Sequence, residues 1–223
     1  MIKPHFLIVE GPDCVGKTTT VNLIEKICLE KKKEVIKLGT LDSTVFGRDM
    51  RVIFTKYDLG LDVSTVVKLL SIAHDQLMRD IASKVLAIGE TNLSNYVFII
   101  DRFMLSTFAY QGQTYDHELI HKAFITSGAL SKLFHLNPIY ILLQASDEIL
   151  NTRLANKTDK DIMELKGNEF HSNTRNYYNL VAPTKLSTVY NCRYSQVDTG
   201  TSIDHTKVQL EILLNAILGT NNG

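Results

Sequence analysis

Residues 6–19 read Phe6-Leu7-Ile8-Val9-Glu10-Gly11-Pro12-Asp13-Cys14-Val15-Gly16-Lys17-Thr18-Thr19. The apolar run Phe6–Val9 has the length and continuity of a strand covered on both faces. Gly11 to Thr18 follows it at once and fits G-x-x-x-x-G-K-[ST]. From Lys17 onward the pattern turns helical, with Val21, Ile24 and Cys28 on one face. Strand, glycine-bounded loop and helix N-terminus, in that order, make an anion cradle. The glycines let the backbone curl so that several N–H groups point inward, and the helix adds its positive end. The loop set Gly11, Pro12, Cys14, Val15, Gly16, Lys17, Thr18 and Thr19 is therefore read as binding a nucleoside triphosphate. Lys17 is placed for the β- and γ-phosphates, and the Thr18 hydroxyl for Mg2+.

The same strand pattern recurs at Val35–Leu38, Tyr96–Ile100 and Ile139–Leu143, and more weakly at Tyr194–Val197. Helical patterns fill the intervals. They run over Lys17–Leu29, Val63–Ile88 and Asp116–Phe134, the last broken at Gly128. Further helices span Asp147–Leu154 with Asp147 as cap, Asn168–Val181 ending before Pro183, and Asp204–Leu218 with Asp204 as cap. Strands alternating with helices predict an α/β fold: a five-stranded parallel sheet flanked by helices, joined by right-handed crossovers. No repeat and no linker interrupts the chain, so residues 1–223 are read as one domain.

Lys+Arg and Asp+Glu number 24 each, so the net charge is zero. A nucleic-acid or membrane-surface binder needs a net basic field, so neither partner is expected. The 3 cysteines are too few and too scattered for a disulfide framework or a zinc cluster. No apolar run approaches the roughly 18 residues of a membrane span. A reduced, cytoplasmic protein acting on small molecules is the expectation.

The third strand ends in Ile99-Ile100-Asp101-Arg102-Phe103. In an open parallel sheet, ligands sit beyond the carboxyl ends of the strands. A carboxylate near Mg2+ and a guanidinium that grips an anion are what a phosphoryl-acceptor site needs. A structural salt bridge would use the same two residues. The longer stretch Asp101-Arg102-Phe103-Met104-Leu105-Ser106-Thr107-Phe108-Ala109-Tyr110-Gln111-Gly112 resembles the thymidylate kinase family, with its Asp-Arg-aromatic, Ser and Ala-Tyr-Gln-Gly elements. Phe6 to Thr19 is similar to that family too.

The resemblance implies a three-layer P-loop kinase fold and γ-phosphoryl transfer from ATP-Mg to a deoxynucleoside monophosphate, most simply dTMP. It implies that Asp13 holds the acceptor sugar hydroxyl and Arg102 its phosphate, with Arg51 as a second clamp. Asp101 would support the magnesium shell. Ser106, Tyr110 and Gln111 would line the base pocket, with Leu70 and His74 at the positions where the family places an aromatic and an arginine against thymine. A lid over residues 153–163 would bring Arg153 to the phosphates, and a homodimer is expected.

This sequence departs from the family pattern at several places. Cys14 stands where one branch has an arginine, Lys157 and Lys160 stand in a lid that is elsewhere arginine-rich, and Gly39–Thr44 replaces Arg-Glu-Pro-Gly-Gly. With Leu70 and His74 in the pocket, broader base acceptance is expected. Two other functions compete: a deoxynucleoside kinase acting on the sugar 5′-hydroxyl, which Phe103 disfavours, and a non-enzymatic nucleotide-binding module. His117-Glu118-Leu119-Ile120-His121 also spells the zinc-protease string His-Glu-x-x-His, which needs a third ligand elsewhere.

Overall fold

The computed structural model describes residues 4–56 and 59–219. Its strands are β1 (His5–Glu10), β2 (Glu34–Gly39), β3 (Tyr96–Asp101), β4 (Ile139–Gln144) and β5 (Arg193–Asp198). They form one parallel sheet in the order β2-β3-β1-β4-β5. β1 is central, with Leu7 paired to Ile99 on one side and Ile139 on the other. The chain fills one side of β1 first, then crosses to the other. The carboxyl end of β1, where the two directions part, is where such a sheet opens a crevice.

The continuous apolar runs become two cores because strand side chains alternate between faces. Phe6 and Ile8 of β1, Phe98 and Ile100 of β3, and Tyr140 and Leu142 of β4 face one layer. That layer is built by α3 (Val63–Ile88), α4 (Met104–Tyr110), α5 (His117–Ser127), α6 (Ala129–His135) and the helical stretch beginning with α8 (Asn168–Asn176). Leu7, Val9, Val97, Ile99 and Ile141 face α1 (Lys17–Glu30) and α10 (Ile203–Leu218). The sheet is thereby covered on both sides, as its composition requires.

Some local expectations change. Ser146, not Asp147, caps α7 (Asp147–Asn156), and Ser202, not Asp204, caps α10. In each case the serine hydroxyl accepts the backbone N–H three residues on, and the aspartate falls in the first turn, where it meets the helix dipole instead. Pro183 does not end its helix. The chain stays helical past it through α9 (Ala182–Thr184), flanked by π-helical turns at Tyr177–Val181 and Lys185–Val189. The wider π spacing just before Pro183, seen where Ala182 N–H bonds Tyr177 O, makes room for the proline ring and its missing donor. On α3 the apolar stripe leaves Leu86 outside at 82% exposure, while Val85 and Ile88 continue the inner face.

Two helices, α4 and α2 (Val45–Lys56), have no counterpart in the sequence reading. α2 starts behind Thr44, whose Oγ1 accepts Gly47 N–H at 2.9 Å. Gly47 lies so close to the preceding loop that a Cβ there would sit 2.4 Å from Thr40 O. Gly47→Ala should therefore cost about 1–3 kcal/mol of stability and lower Tm by about 2–12 °C. Gly167→Ala, where a Cβ meets nothing within 4 Å, should leave Tm close to wild type; thermal melts of the two variants side by side check this.

Candidate active site

The loop after β1 keeps its two glycines for different reasons. A Cβ on Gly11 would press on Leu143 O and Val15 Cγ1, each at 3.0 Å. Gly16 has open space around it but a φ of +94°, which only glycine adopts without strain. Gly16 caps α1 without any side-chain bond, so the first N–H groups of α1 stay available to an anion. Cys14 also takes a left-handed φ of 59°. Burial, then Glu164, pushes its thiol pKa up, so it is not a thiolate at neutral pH.

Lys17 curls back over the loop and donates to Gly11 O at 3.0 Å and Pro12 O at 2.5 Å. Burial, with Arg102 nearby, lowers its pKa to about 8. Arg102, at the turn from β3 into α4, holds a φ of 63° and donates to Asp13 Oδ1 at 2.6 Å, Ser106 Oγ at 3.1 Å and Gly11 O at 3.3 Å. Its guanidinium lies over the Tyr110 ring, 5.4 Å from the centroid. Burial would raise the Asp13 pKa, but Arg102 and then Lys17 outweigh it and hold this carboxyl below the usual range. Asp13 Oδ2 and Asp101 Oδ1 are buried with no hydrogen-bond partner.

These groups open into one cleft of about 970 Å³. Asp13, Cys14, Gly16, Lys17, Thr18, Thr19, Arg51, Leu70, His74, Asp101, Arg102, Ser106, Tyr110, Gln111 and Arg153 all line it. Gly11, Pro12 and Val15 do not. They form the loop's back, with the Val15 side chain fully buried in the α1-side core, so their part is played by backbone alone. Arg51 stands at the α2 wall, paired with Asp42.

Two residues expected at the base differ in what they offer. The Ser106 hydroxyl donates to Glu10 Oε2 at 2.7 Å, so it is committed to the protein. His74 is 3% exposed, its ring edge-on to Phe103 and Phe124. Its Nδ1–H donates to Leu70 O at 2.6 Å, and Nε2 approaches the Phe103 backbone without closing a hydrogen bond. One imidazole nitrogen is thus committed to the helix's own backbone, and the ring packs against two aromatic side chains.

Arg153, at the head of the segment expected to be a lid, reaches the loop from α7. Arg153 donates to Cys14 O at 3.4 Å and Thr199 O at 2.7 Å. Lys157 Nζ meets both oxygens of the buried Glu164 at 2.7 Å and lines the cleft, whereas Lys160 does not. The sequence reading passed over Glu164, Thr199 and Glu10. Glu10 alone carried a signal: a charged residue ending an otherwise apolar strand.

The zinc-protease string does not converge. His117 packs against Phe108 and Tyr177 with Nδ1 3.3 Å from Lys185 Nζ, while His121 lies on Tyr190. Among the described residues no three His, Cys, Asp or Glu side chains cluster as a metal cage.

Burial lowers the His74 pKa to about 4. As pH falls, the unfolded chain binds this proton first, so the contribution is complete above the unfolded pKa near 6.5 and shrinks towards pH 4. His74→Leu should therefore lose less stability than wild type between about pH 7 and pH 4.5, by on the order of 2 kcal/mol. Urea midpoints at the two pH values measure it, and equal losses would exclude a neutral buried imidazole.

A thymidylate kinase family model matches residues 9–204. The thymidylate kinase of Thermosipho melanesiensis is 24% identical over 217 residues, covering 96% of this chain and 98% of its own. That of Buchnera aphidicola is 26% identical over the full length of both chains. Solved thymidylate kinases from Ehrlichia chaffeensis and Candida albicans share the fold, with TM-scores of 0.67 and 0.69 at 19% and 18% identity. They cover 95% and 96% of this chain, and it covers 99% and 92% of theirs. The chain belongs to the thymidylate kinase family, and its reaction is the phosphorylation of dTMP to dTDP by ATP.

Proposed function

We propose that the cleft performs this transfer with the Gly11–Thr19 loop holding ATP and with Asp13 and Arg102 holding the monophosphate. One observation carries the assignment of roles: Lys17 and Arg102 donate to the same oxygen, Gly11 O. A cation for the donor phosphates and a cation for the acceptor phosphate thus stand side by side. Two polyanions brought together in line need their repulsion offset and their geometry fixed, and little covalent help. Asp13 Oδ2, unpartnered, accepts the sugar hydroxyl. Arg51 exchanges Asp42 for the acceptor phosphate as a second clamp. Arg153 covers the donor phosphates from the lid, and Lys157, steered by Glu164, supplies a second lid charge.

The protein oxygens fit a magnesium ion. Thr18 in the first turn of α1 and the unpartnered Asp101 Oδ1 line the same cleft, and a hard dication takes oxygen ligands. When bound with ATP, the ion neutralises charge on the β- and γ-phosphates. Residues 1–223 are read as one kinase domain, cytoplasmic and homodimeric, with exposed Ile72 and Leu86 of α3 offering apolar area for pairing. Among the described residues no helix is long and apolar enough to cross a membrane.

The base sits against Leu70, Val66 and Phe103, with Gln111 reading its edge. An amide offers both a donor and an acceptor and rotates to suit, so it discriminates less than a fixed guanidinium. The Candida albicans thymidylate kinase structure is described as revealing the origin of broad substrate specificity, and the same breadth is proposed here.

ATP-Mg should be consumed with dTMP and not with thymidine or without an acceptor; consumption with thymidine alone would move the assignment to a deoxynucleoside kinase. Lys17→Ala should cut turnover at least about 100-fold while the fold survives, since its charge serves phosphate and not packing. A near-normal rate in a folded variant would remove Lys17 from the mechanism. In a panel of deoxynucleoside monophosphates, at least one besides dTMP should be phosphorylated measurably, and strict dTMP selectivity would refute the reading of Gln111.

A further inference from the structure

Four carbonyls of the phosphate loop are tied to side chains. Gly11 O and Pro12 O accept from Lys17, Cys14 O from Arg153, and Val15 O from Thr199 Oγ1 at 2.6 Å. Lys17 and Arg153 line the cleft and are expected to turn to phosphate. Thr199 does not line it. It is 8% exposed, sits in the turn between β5 and α10, and approaches the loop from behind.

A trans peptide sets its N–H opposite to its C=O, and no cis bond occurs among the described residues. Thr199 draws Val15 O towards the back of the loop. The other end of that peptide unit, Gly16 N–H, therefore points forward, and Gly16 forms part of the cleft wall. Gly16's left-handed φ is what lets the next residue enter α1 from this orientation. Thr199 is itself fixed. Its N–H donates to Gln144 O at the end of β4 at 2.8 Å, and its carbonyl accepts from Arg153 at 2.7 Å. Preceding it, Asp198 O accepts from Thr206 Oγ1 and Gln209 Nε2.

We propose that Thr199 is a positioning residue for the donor nucleotide: its hydroxyl holds the Val15–Gly16 peptide so that Gly16 N–H is presented to the phosphates of ATP. The proposal rests on the reading of this loop as the ATP site. Because the hydroxyl bonds Val15 O and Gln144 O and neither Asp13 nor Arg102, its loss falls on ATP and spares the monophosphate.

The test is calorimetric titration of ATP-Mg and, separately, of dTMP into wild type, Thr199→Val, Thr199→Ala and Thr199→Ser. Valine keeps the shape and removes the donor. ATP-Mg should bind the valine and alanine variants about tenfold more weakly, the size of one lost buried hydrogen bond. The dTMP affinity should stay within about twofold, and serine should restore ATP. Wild type that binds no ATP would sink the reading of the site itself. Wild type that binds ATP, with valine and alanine variants that bind it equally well, would overturn the role of Thr199 alone. Equal loss of both ligands, or loss of the fold, would assign the hydroxyl to structure and overturn it too.

Discussion

A buried carboxylate organises the centre of this molecule. Glu10 ends β1, is 0% exposed, and accepts from Phe103 N–H, Ser106 N–H, Ser106 Oγ and Tyr178 Oη at 2.7–3.3 Å. Burial raises its pKa, and the Phe103 N–H and Ser106 hydroxyl pull against that rise. An unpaired charge at this depth would be costly, whereas one saturated by donors fixes everything that donates to it. Here the donors belong to the turn between β3 and α4 and to the π-helical segment beyond α8. Arg102 stands in that turn with an unfavourable positive φ. Residues in such backbone states persist only where their surroundings over-determine them. Glu10 on Phe103 and Ser106, together with Arg102 N–H on Val9 O at 3.0 Å, supplies that determination.

The site is thus assembled around one strand end from three directions. The loop after β1 leads to Lys17, the end of β3 and the turn after it bring Asp101 and Arg102, and the turn after β5 brings Thr199. All lie at the carboxyl edge of the sheet because every strand runs parallel. The helices are spacers that return the chain to that edge. The packed layers behind it are mainly apolar, and Tyr178, which belongs to one of them, reaches Glu10 with its hydroxyl.

The sequence was most legible where one local rule decides the outcome. The loop pattern, the five strands and the exact limits of α3 follow from glycine spacing, apolar continuity and helical period. α2 did carry a signal that the reading left unused: Phe46, Met50, Ile53 and Phe54 recur at helical spacing and form its half-buried face, while its start depends on Thr44 and its close approach on a bare Gly47. Pro183 misled because a widened helix can accept a proline, which no pattern of residue types announces. In the cleft, residue types came through better than orientations. His74 does line the wall, yet its ring packs against Phe103 and Phe124, which lie far from it in the chain, and its Nδ1 is taken by Leu70 O. Glu10, Glu164 and Thr199 act through contacts 7 to 184 residues apart, so spacing alone carries no trace of their partners.

On the proposed assignment, Lys17 and Arg102 meet the substrate already engaged. The lysine is occupied by two loop carbonyls and the arginine by Asp13, Ser106 and Gly11. Entry of a phosphate is then an exchange of acceptors and not the capture of an anion by idle cations. Each bond gained from the nucleotide displaces one to the protein, so net affinity is a difference between similar quantities. On the same assignment the exchange runs backwards when the diphosphate leaves, because the loop carbonyls and Asp13 compete for the two cations. Such a site gives up ground-state grip and keeps its discrimination for the arrangement in which both phosphates are present at once.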